Sequence, residues 1–181
     1  MASTVGGHGV TGSLAAVVAD DRAFRAWYDA SLPDVYAYLF HRCGRDPELA
    51  QELTQQTFVD AIRSQAIAPQ GAPVAWLIGI ARHKLADHFR ALERRERGVL
   101  RLLSRTSAPA VGWVGESDTG TDLVSALRQL PAAQRAALVL RYQDDLPVRE
   151  VARLLDRSEG AVESLLSRGR ETLRRLLGGE L

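Results

Sequence analysis

Residues 147–177, PVREVARLLDRSEGAVESLLSRGRETLRRLL, constrain the fold more than any other stretch. Val151, Ala152, Leu154 and Leu155 recur at helical spacing and predict a helix over Val148–Leu155. Asp156-Arg157 breaks that period. Ser158 suits the N-cap of a second helix, because its hydroxyl can accept a free backbone N–H of the first turn. Ala161, Val162, Leu165, Leu166, Leu173 and Leu176 mark the inner face of that helix. Arg168, Arg170, Arg174 and Arg175 hold its other face and end. A short helix, a tight turn and a cationic second helix form the helix-turn-helix pattern, whose second helix can enter a DNA major groove. The turn often uses Gly to reach a left-handed backbone. Here Asp156 is the candidate, and Asp tolerates that conformation better than most residues. Glu159 and Glu163, at the front of the second helix, repel phosphate. An ordinary helical hairpin with solvated arginines is the simpler reading of the same pattern.

The chain of 181 residues allows one domain or two small ones. With 46% hydrophobic and 25% charged residues, its composition is that of a folded soluble protein. The net charge of +1 does not announce nucleic acid, but its distribution is uneven. Between residues 46 and 60 stand Asp46, Glu48, Glu52 and Asp60 with no Lys or Arg. Between 82 and 101 stand Arg82, Lys84, Arg90, Arg94, Arg95, Arg97 and Arg101 against Asp87, Glu93 and Glu96. Opposite local fields point to two different partners, or to two solvated helix faces. The single cysteine, Cys43, excludes an internal disulfide and fits a reducing compartment. No apolar run reaches membrane-spanning length. No basic segment followed by a long apolar core opens the chain, so a cytoplasmic protein without signal peptide is expected.

Residues 1–13, rich in Gly, Ser and Thr, are expected to be disordered. From about Leu14 the pattern is helical. Phe24, Trp27 and Tyr28 give one apolar face. Val35, Tyr38, Leu39 and Cys43 continue the pattern after Pro33, with Gly44 at the C-cap position. A helix from about Pro47 to Ser64 buries Leu49, Leu53, Phe58, Ala61 and Ile62, and its proline sits where a missing N–H costs little. Gln65–Ala72 reads as a loop. Another helix starts near Pro73 and runs to about Leu102. Its apolar residues Trp76, Leu77, Ile80, Ala81, Leu85 and Phe89 give way to the arginine run. Residues 104–120 lose periodicity and read as a flexible linker, with a reach of at most roughly 60 Å and an average span of about 20–25 Å. One DNA turn is about 34 Å, so modules on either side could touch sites more than a turn apart. Trp113 stands out in this linker and is expected to dock on a neighbouring surface. In the second module Leu123, Leu127 and Leu130 mark one helix. Pro131 begins the next, with Ala137, Leu138, Leu140 and Tyr142 facing in. No strand alternation and no repeat occurs.

The order of these parts resembles the bacterial extracytoplasmic-function (ECF) sigma factors of RNA polymerase. ELTQQTFVDAIR, Glu52–Arg63, resembles the family's region 2.2 helix. AWLIGIARHKLADHFR, Ala75–Arg90, resembles its regions 2.3 and 2.4. LRQLPAAQRAALVLRYQDDLPVREVARLL and GAVESLLSRGRETLR resemble region 4. The resemblance implies an all-α protein with a region 2-like bundle over residues 14–103, the linker 104–120, and a region 4-like helix-turn-helix domain over residues 121–178. It implies that Glu52, Gln55 and Gln56 dock on the β′ subunit of core polymerase, Gln56 replacing the family's Glu. Arg82, His83, Asp87, Arg90, Arg94 and Arg95 fall where the family holds the minus-ten element, His83 replacing Asn. Arginines there can bind phosphate and stack on unpaired bases. Trp76 matches a core tryptophan. The loop Gln65–Ala72 lies where the family captures a flipped base, and Gln70 could line that pocket. The minus-thirty-five element would be read from Ser158, Glu159, Gly160, Ala161, Ser164, Leu165, Arg168 and Arg170. Glu163 and Leu165 stand where the family commonly has cations, which weakens the phosphate contribution. Glu can instead accept from cytosine N4. Partners implied are the β and β′ subunits of core polymerase, promoter DNA and an inhibitory anti-sigma protein.

No reactive constellation points to an enzyme. His41 and Cys43 are two residues apart, and His83 and His88 five; neither spacing joins the others into a zinc site. No phosphate-binding glycine loop or nucleophile motif occurs, so neither metal nor cofactor is expected. A helix-turn-helix regulator acting without polymerase is the alternative, although it has no use for an acidic helix followed by an arginine-rich one. A protein-binding helical adaptor is the third reading.

Overall fold

Short polar side chains fix four of the helix starts. The hydroxyl of Ser13 accepts from the Ala16 N–H at 3.3 Å, and that of Ser158 from Ala161 at 3.2 Å. The Asp20 carboxylate accepts from Arg22 and Ala23 at 2.8 and 3.0 Å, and Asp46 from Leu49 at 3.0 Å. Each satisfies a donor that the first helical turn leaves open. The computed structural model describes residues 13–64, 68–69, 72–103 and 122–178. These form α1 (Leu14–Val18), α2 (Asp21–Arg42), α3 (Pro47–Arg63), α4 (Val74–Leu103), α5 (Asp122–Gln129), α6 (Ala132–Leu138), a π-helical turn (Val139–Gln143), α7 (Val148–Leu155) and α8 (Glu159–Leu176). No strand occurs among the described residues. Linker residues 104–120, Trp113 with them, lie outside the described residues, as do all of residues 1–13 except Ser13.

Contacts divide the chain into two units, residues 1–84 and 85–181. In the first, α2 runs unbroken through Pro33 and buries Trp27, Val35 and Leu39. It ends at left-handed Gly44 (φ 72°). Ala50, Leu53, Phe58 and Ala61 of α3 complete the core with Leu77 and Ala81 of α4. Leu49 and Ile62, expected inside, are only half-buried. Thr54 and Thr57 take their place, and their hydroxyls donate to the Ala50 and Leu53 carbonyls, both at 2.7 Å. That back-bonding makes two polar side chains compatible with burial. The Phe58 ring meets Trp27 edge-on at 5.5 Å and Tyr28 at 4.6 Å. The fully enclosed tryptophan is Trp27; Trp76 is half-buried. Trp27 Nε1 donates to the Ala72 carbonyl at 3.2 Å, pinning a buried alanine whose φ is +35°.

The second unit joins the back half of α4 to α5–α8. Pro131 offers α6 no side-chain cap. Glu96 supplies one instead, both carboxylate oxygens accepting from the Ala132 N–H at 3.0 and 3.2 Å. Glu93 pairs with Arg157 of the turn between α7 and α8. Asp156 adopts the left-handed conformation (φ 53°, ψ 55°) that this turn requires. Two residues expected inside lie outside: Tyr142 is 54% exposed and Leu176 41%; Leu123 of α5 is 45% exposed as well. Tyr142 is displaced by the π turn, in which the Asp144 N–H reaches back to the Val139 carbonyl at 3.2 Å. This wider turn delays the rotation of successive side chains, so a residue four after Leu138 no longer shares its face. Leu176 sits in the last turn of α8, where the inner stripe outlasts the core that it packs on.

Helix α8 approaches α6 closely at Gly169, where an added Cβ would lie 3.0 Å from Leu138 Cδ1 and 3.5 Å from Gln134 Cβ. Gly160, in the same helix, has nothing within 4 Å of that position. Gly169→Leu should therefore lower the unfolding free energy by about 1–3 kcal/mol through overpacking. Gly160→Ala should raise it by about 1 kcal/mol through helix propensity. Urea unfolding of both variants checks the contrast.

Candidate functional site

Helix α3 turns Leu53, Thr57 and Ala61 inward, which fixes what faces out. Glu48, Glu52, Gln55, Gln56, Val59 and Arg63 form the exposed side. Gln56 Nε2 donates to Glu52 Oε1 at 3.0 Å, so two of the three expected docking residues hold each other one turn apart. Asp60 is only partly exposed. It forms an ion pair with Lys84 of α4 and lies 3.7 Å from Arg63. Of the four carboxylates in the acidic stretch, Asp46 therefore caps the helix and Asp60 is neutralised within the unit. Glu48 and Glu52 remain to give the outer face its charge. Gln55, Gln56, Val59, Asp60, Arg63 and Lys84 line a shallow cavity of about 390 Å³. Val59, 45% exposed, was not singled out in the sequence. It lies seven residues after Glu52, a spacing that places it on the same face.

The face of α4 opposite its buried stripe carries the cations. His83, Asp87, Arg94 and Arg95 are exposed, whereas Arg82 and Arg90 are half-buried. Arg90 pairs with Asp87 one turn back. His83, Asp87, Arg90 and Arg94 follow at three- to four-residue intervals and share one side, while Arg82 and Arg95 flank it. Gln70 lies outside the described residues, as does most of the loop that contains it.

Helix α8 presents Ser158, Glu159, Gly160, Ser164, Arg168 and Arg170 to solvent, with Ala161 half-exposed. Leu165 is 7% exposed. Three residues after Val162, it falls on the packing stripe, as helical spacing expected, and not on the outward surface where the family resemblance placed it. Ser167, also exposed, was missed. Gly160, Ser164 and Ser167 follow at four- and three-residue steps along the centre of the outer face. Helical periodicity alone could have found it. Arg168 lies to one side of this small-residue track. Glu163 and Arg170 lie to the other, where Arg170 Nη1 donates to the Tyr142 hydroxyl at 3.3 Å. The π turn thus brings an aromatic hydroxyl to a cation that reading Tyr142 as a core residue had missed. Among the described residues no group of His, Cys, Asp and Glu is arranged to hold a metal, and no helix is long and apolar enough to cross a membrane.

Two family models match the chain: Sigma-70 region 2 over residues 22–95, and Sigma-70, region 4 over residues 121–173. The RNA polymerase sigma factor CarQ of Myxococcus xanthus is 34% identical over 161 residues, which cover 86% of this chain and 90% of the relative. The ECF RNA polymerase sigma factor BldN of Streptomyces coelicolor is 34% identical over 160 residues, or 86% of this chain and 60% of the relative, so the chain spans under two thirds of that protein. The sigma factor RpoE of Bartonella quintana, solved in complex with the anti-sigma factor NepR, is 23% identical with a TM-score of 0.53, covering 88% of this chain and 99% of that one. At that identity the likeness is one of fold.

Exposed Glu163 stands on the flank of α8 that holds Arg170, where it opposes an approaching phosphate. Glu163→Lys should tighten binding to duplex DNA and steepen the dependence of log K on log salt by about 0.9, the share of one added phosphate contact. Fluorescence anisotropy at several salt concentrations reads both. An unchanged slope would show that this flank stays away from the backbone.

Proposed function

The chain belongs to the ECF group of RNA polymerase sigma factors, and we propose that it binds core polymerase, brings it to promoters and holds the opened strand. The observation that carries this reading is the sequence of faces. An acid- and amide-bearing α3 is followed by a cation-bearing α4 and then by a helix-turn-helix whose turn closes through left-handed Asp156. The modules are taken as residues 14–103 and 121–178, joined by 104–120. Glu52, Gln55 and Gln56 dock on the β′ subunit, with Val59 adding an apolar contact to theirs. Arg82, His83, Arg90, Arg94 and Arg95 hold the minus-ten strand through phosphate contacts and stacking, with Asp87 orienting Arg90. Gln70 lines the pocket for a flipped base. On α8, Ser158, Glu159, Gly160, Ala161, Ser164, Arg168 and Arg170 meet the minus-thirty-five element; the small side chains at its centre allow close approach to the groove floor.

The protein carries no chemistry of its own and works in the cytoplasm beside polymerase. An anti-sigma protein is its inhibitor; the RpoE relative, solved with NepR, is a precedent in a protein of the same fold. Size-exclusion chromatography with bacterial core polymerase tests the docking step. The chain should co-elute with the catalytic subunits. Glu52→Lys, which reverses a charge on an exposed surface, should weaken binding about tenfold, or ~1.4 kcal/mol. A chain that elutes alone would favour a regulator acting without polymerase.

A further inference from the structure

Tyr142 continues the apolar pattern of α6, yet its ring is turned to solvent while Val139 and Leu140 beside it are buried. It stands in the π-helical turn Val139–Gln143. Such wider turns are rare, and they occur frequently at functional sites. Outside the core the tyrosine meets two cations. The Arg141 guanidinium lies 5.7 Å from the centre of its ring, and Arg170 Nη1 donates to its hydroxyl at 3.3 Å. Arg141 is committed to its own loop: it donates to the Leu146 carbonyl at 3.2 Å and lies 3.5 Å from the Asp145 carboxylate. Arg170 is exposed, and it reaches Tyr142 from α8.

A hydroxyl that accepts one N–H leaves Arg170 four of its five donors, and the phenol keeps its own proton to give. Of the acids near Arg170 on α8, Glu171 is paired with Arg174. Glu163 lies seven residues back, about 10 Å toward the start of the helix. Arg170 itself is eleven residues beyond Glu159, about 16 Å along α8. The major groove is about 12 Å wide. With the first turn of α8 among the bases, a side chain that far along and on a flank meets the phosphate wall of the groove. A short, stiff tyrosine beside a long arginine also orients the guanidinium before DNA arrives, so less rotamer freedom is lost on binding.

We infer that Tyr142 is a further DNA-binding residue. With Arg170 it forms a clamp on a single backbone phosphate at the edge of the minus-thirty-five groove. The hydroxyl donates to one phosphate oxygen and holds the guanidinium that donates to another. This rests on the promoter-binding function proposed above. The clamp reads no base; it fixes the register of α8 on the duplex.

The test uses holoenzyme reconstituted from bacterial core polymerase and the full chain, on a promoter that this holoenzyme selects from a random-sequence pool. Each phosphate around the minus-thirty-five element is replaced in turn by an uncharged methylphosphonate, and Kd is measured. Arg170→Ala should abolish the effect of one such replacement. At that same phosphate Tyr142→Phe, which removes one oxygen and keeps the ring, should shrink the effect. On unmodified DNA Tyr142→Phe should weaken binding about two- to tenfold, the share of one hydrogen bond. In the Arg170→Ala protein the same change should cost less, because the two side chains act together. Unchanged binding by Tyr142→Phe, a loss spread evenly over all phosphates, no phosphate abolished by Arg170→Ala, or full additivity of the two substitutions would each overturn the inference while promoter binding stands. Failure of the unsubstituted holoenzyme to select or bind any promoter would overturn the proposed function, and this inference with it.

Discussion

Burial of one side of α4 sets the direction of the charges on which everything else depends. Leu77, Ala81, Leu85, Ala86 and Phe89 are each at most 2% exposed. Turning the helix by half a revolution would expose them all, at about 1.5–3 kcal/mol for each large side chain. The surface ion pairs along the same helix contribute at most about 1 kcal/mol each. Packing, and not attraction between charges, therefore aims the arginine row away from the core. The same logic holds in α3, where Leu53, Thr57 and Ala61 fix the outward placement of Glu52, Gln56 and Val59.

The local charge balance changes once the internal contacts are known. The acidic stretch loses two of its four carboxylates, Asp46 to a cap and Asp60 to Lys84. In the basic stretch Glu96 turns to the start of α6, while Glu93 is shared between Arg157 and Arg97. Folding thus makes the outer face of α3 less negative than its sequence. The contrast between the acid- and amide-bearing face of α3 and the arginine-bearing face of α4 persists, carried by fewer residues. The exposed residues on α3 include two glutamates, Gln55, Gln56 and Val59, a mixture suited to a protein surface, while the arginines of α4 suit phosphate.

The parts governed by local chemistry were legible in the sequence. Asp156 in the left-handed turn, Ser158 as N-cap, Pro47 at the first position of α3 and the bounds of α7 all follow from backbone preferences of single residues. Positions decided by tertiary context were not. Tyr142 follows the apolar pattern of α6 and is turned out by a π turn that no residue type announces. Leu165 reads inward by its spacing from Val162 and outward by resemblance, and packing settles it inward. Thr54 and Thr57 carry no apolar signal, and are buried because the backbone carbonyls one turn back accept their hydroxyls. Glu96 as the cap of α6 was beyond reach, since it lies thirty-six residues from the N–H it serves.

The central claim is that this chain confers promoter-specific opening on a polymerase that lacks it. Reconstituted transcription, with unpaired thymines mapped by permanganate on the same templates, measures this directly. The account predicts discrete transcripts, and a patch of reactive thymines just upstream of each start, only when core polymerase and this chain are both present. Identical transcripts and reactivity with and without the chain would contradict it.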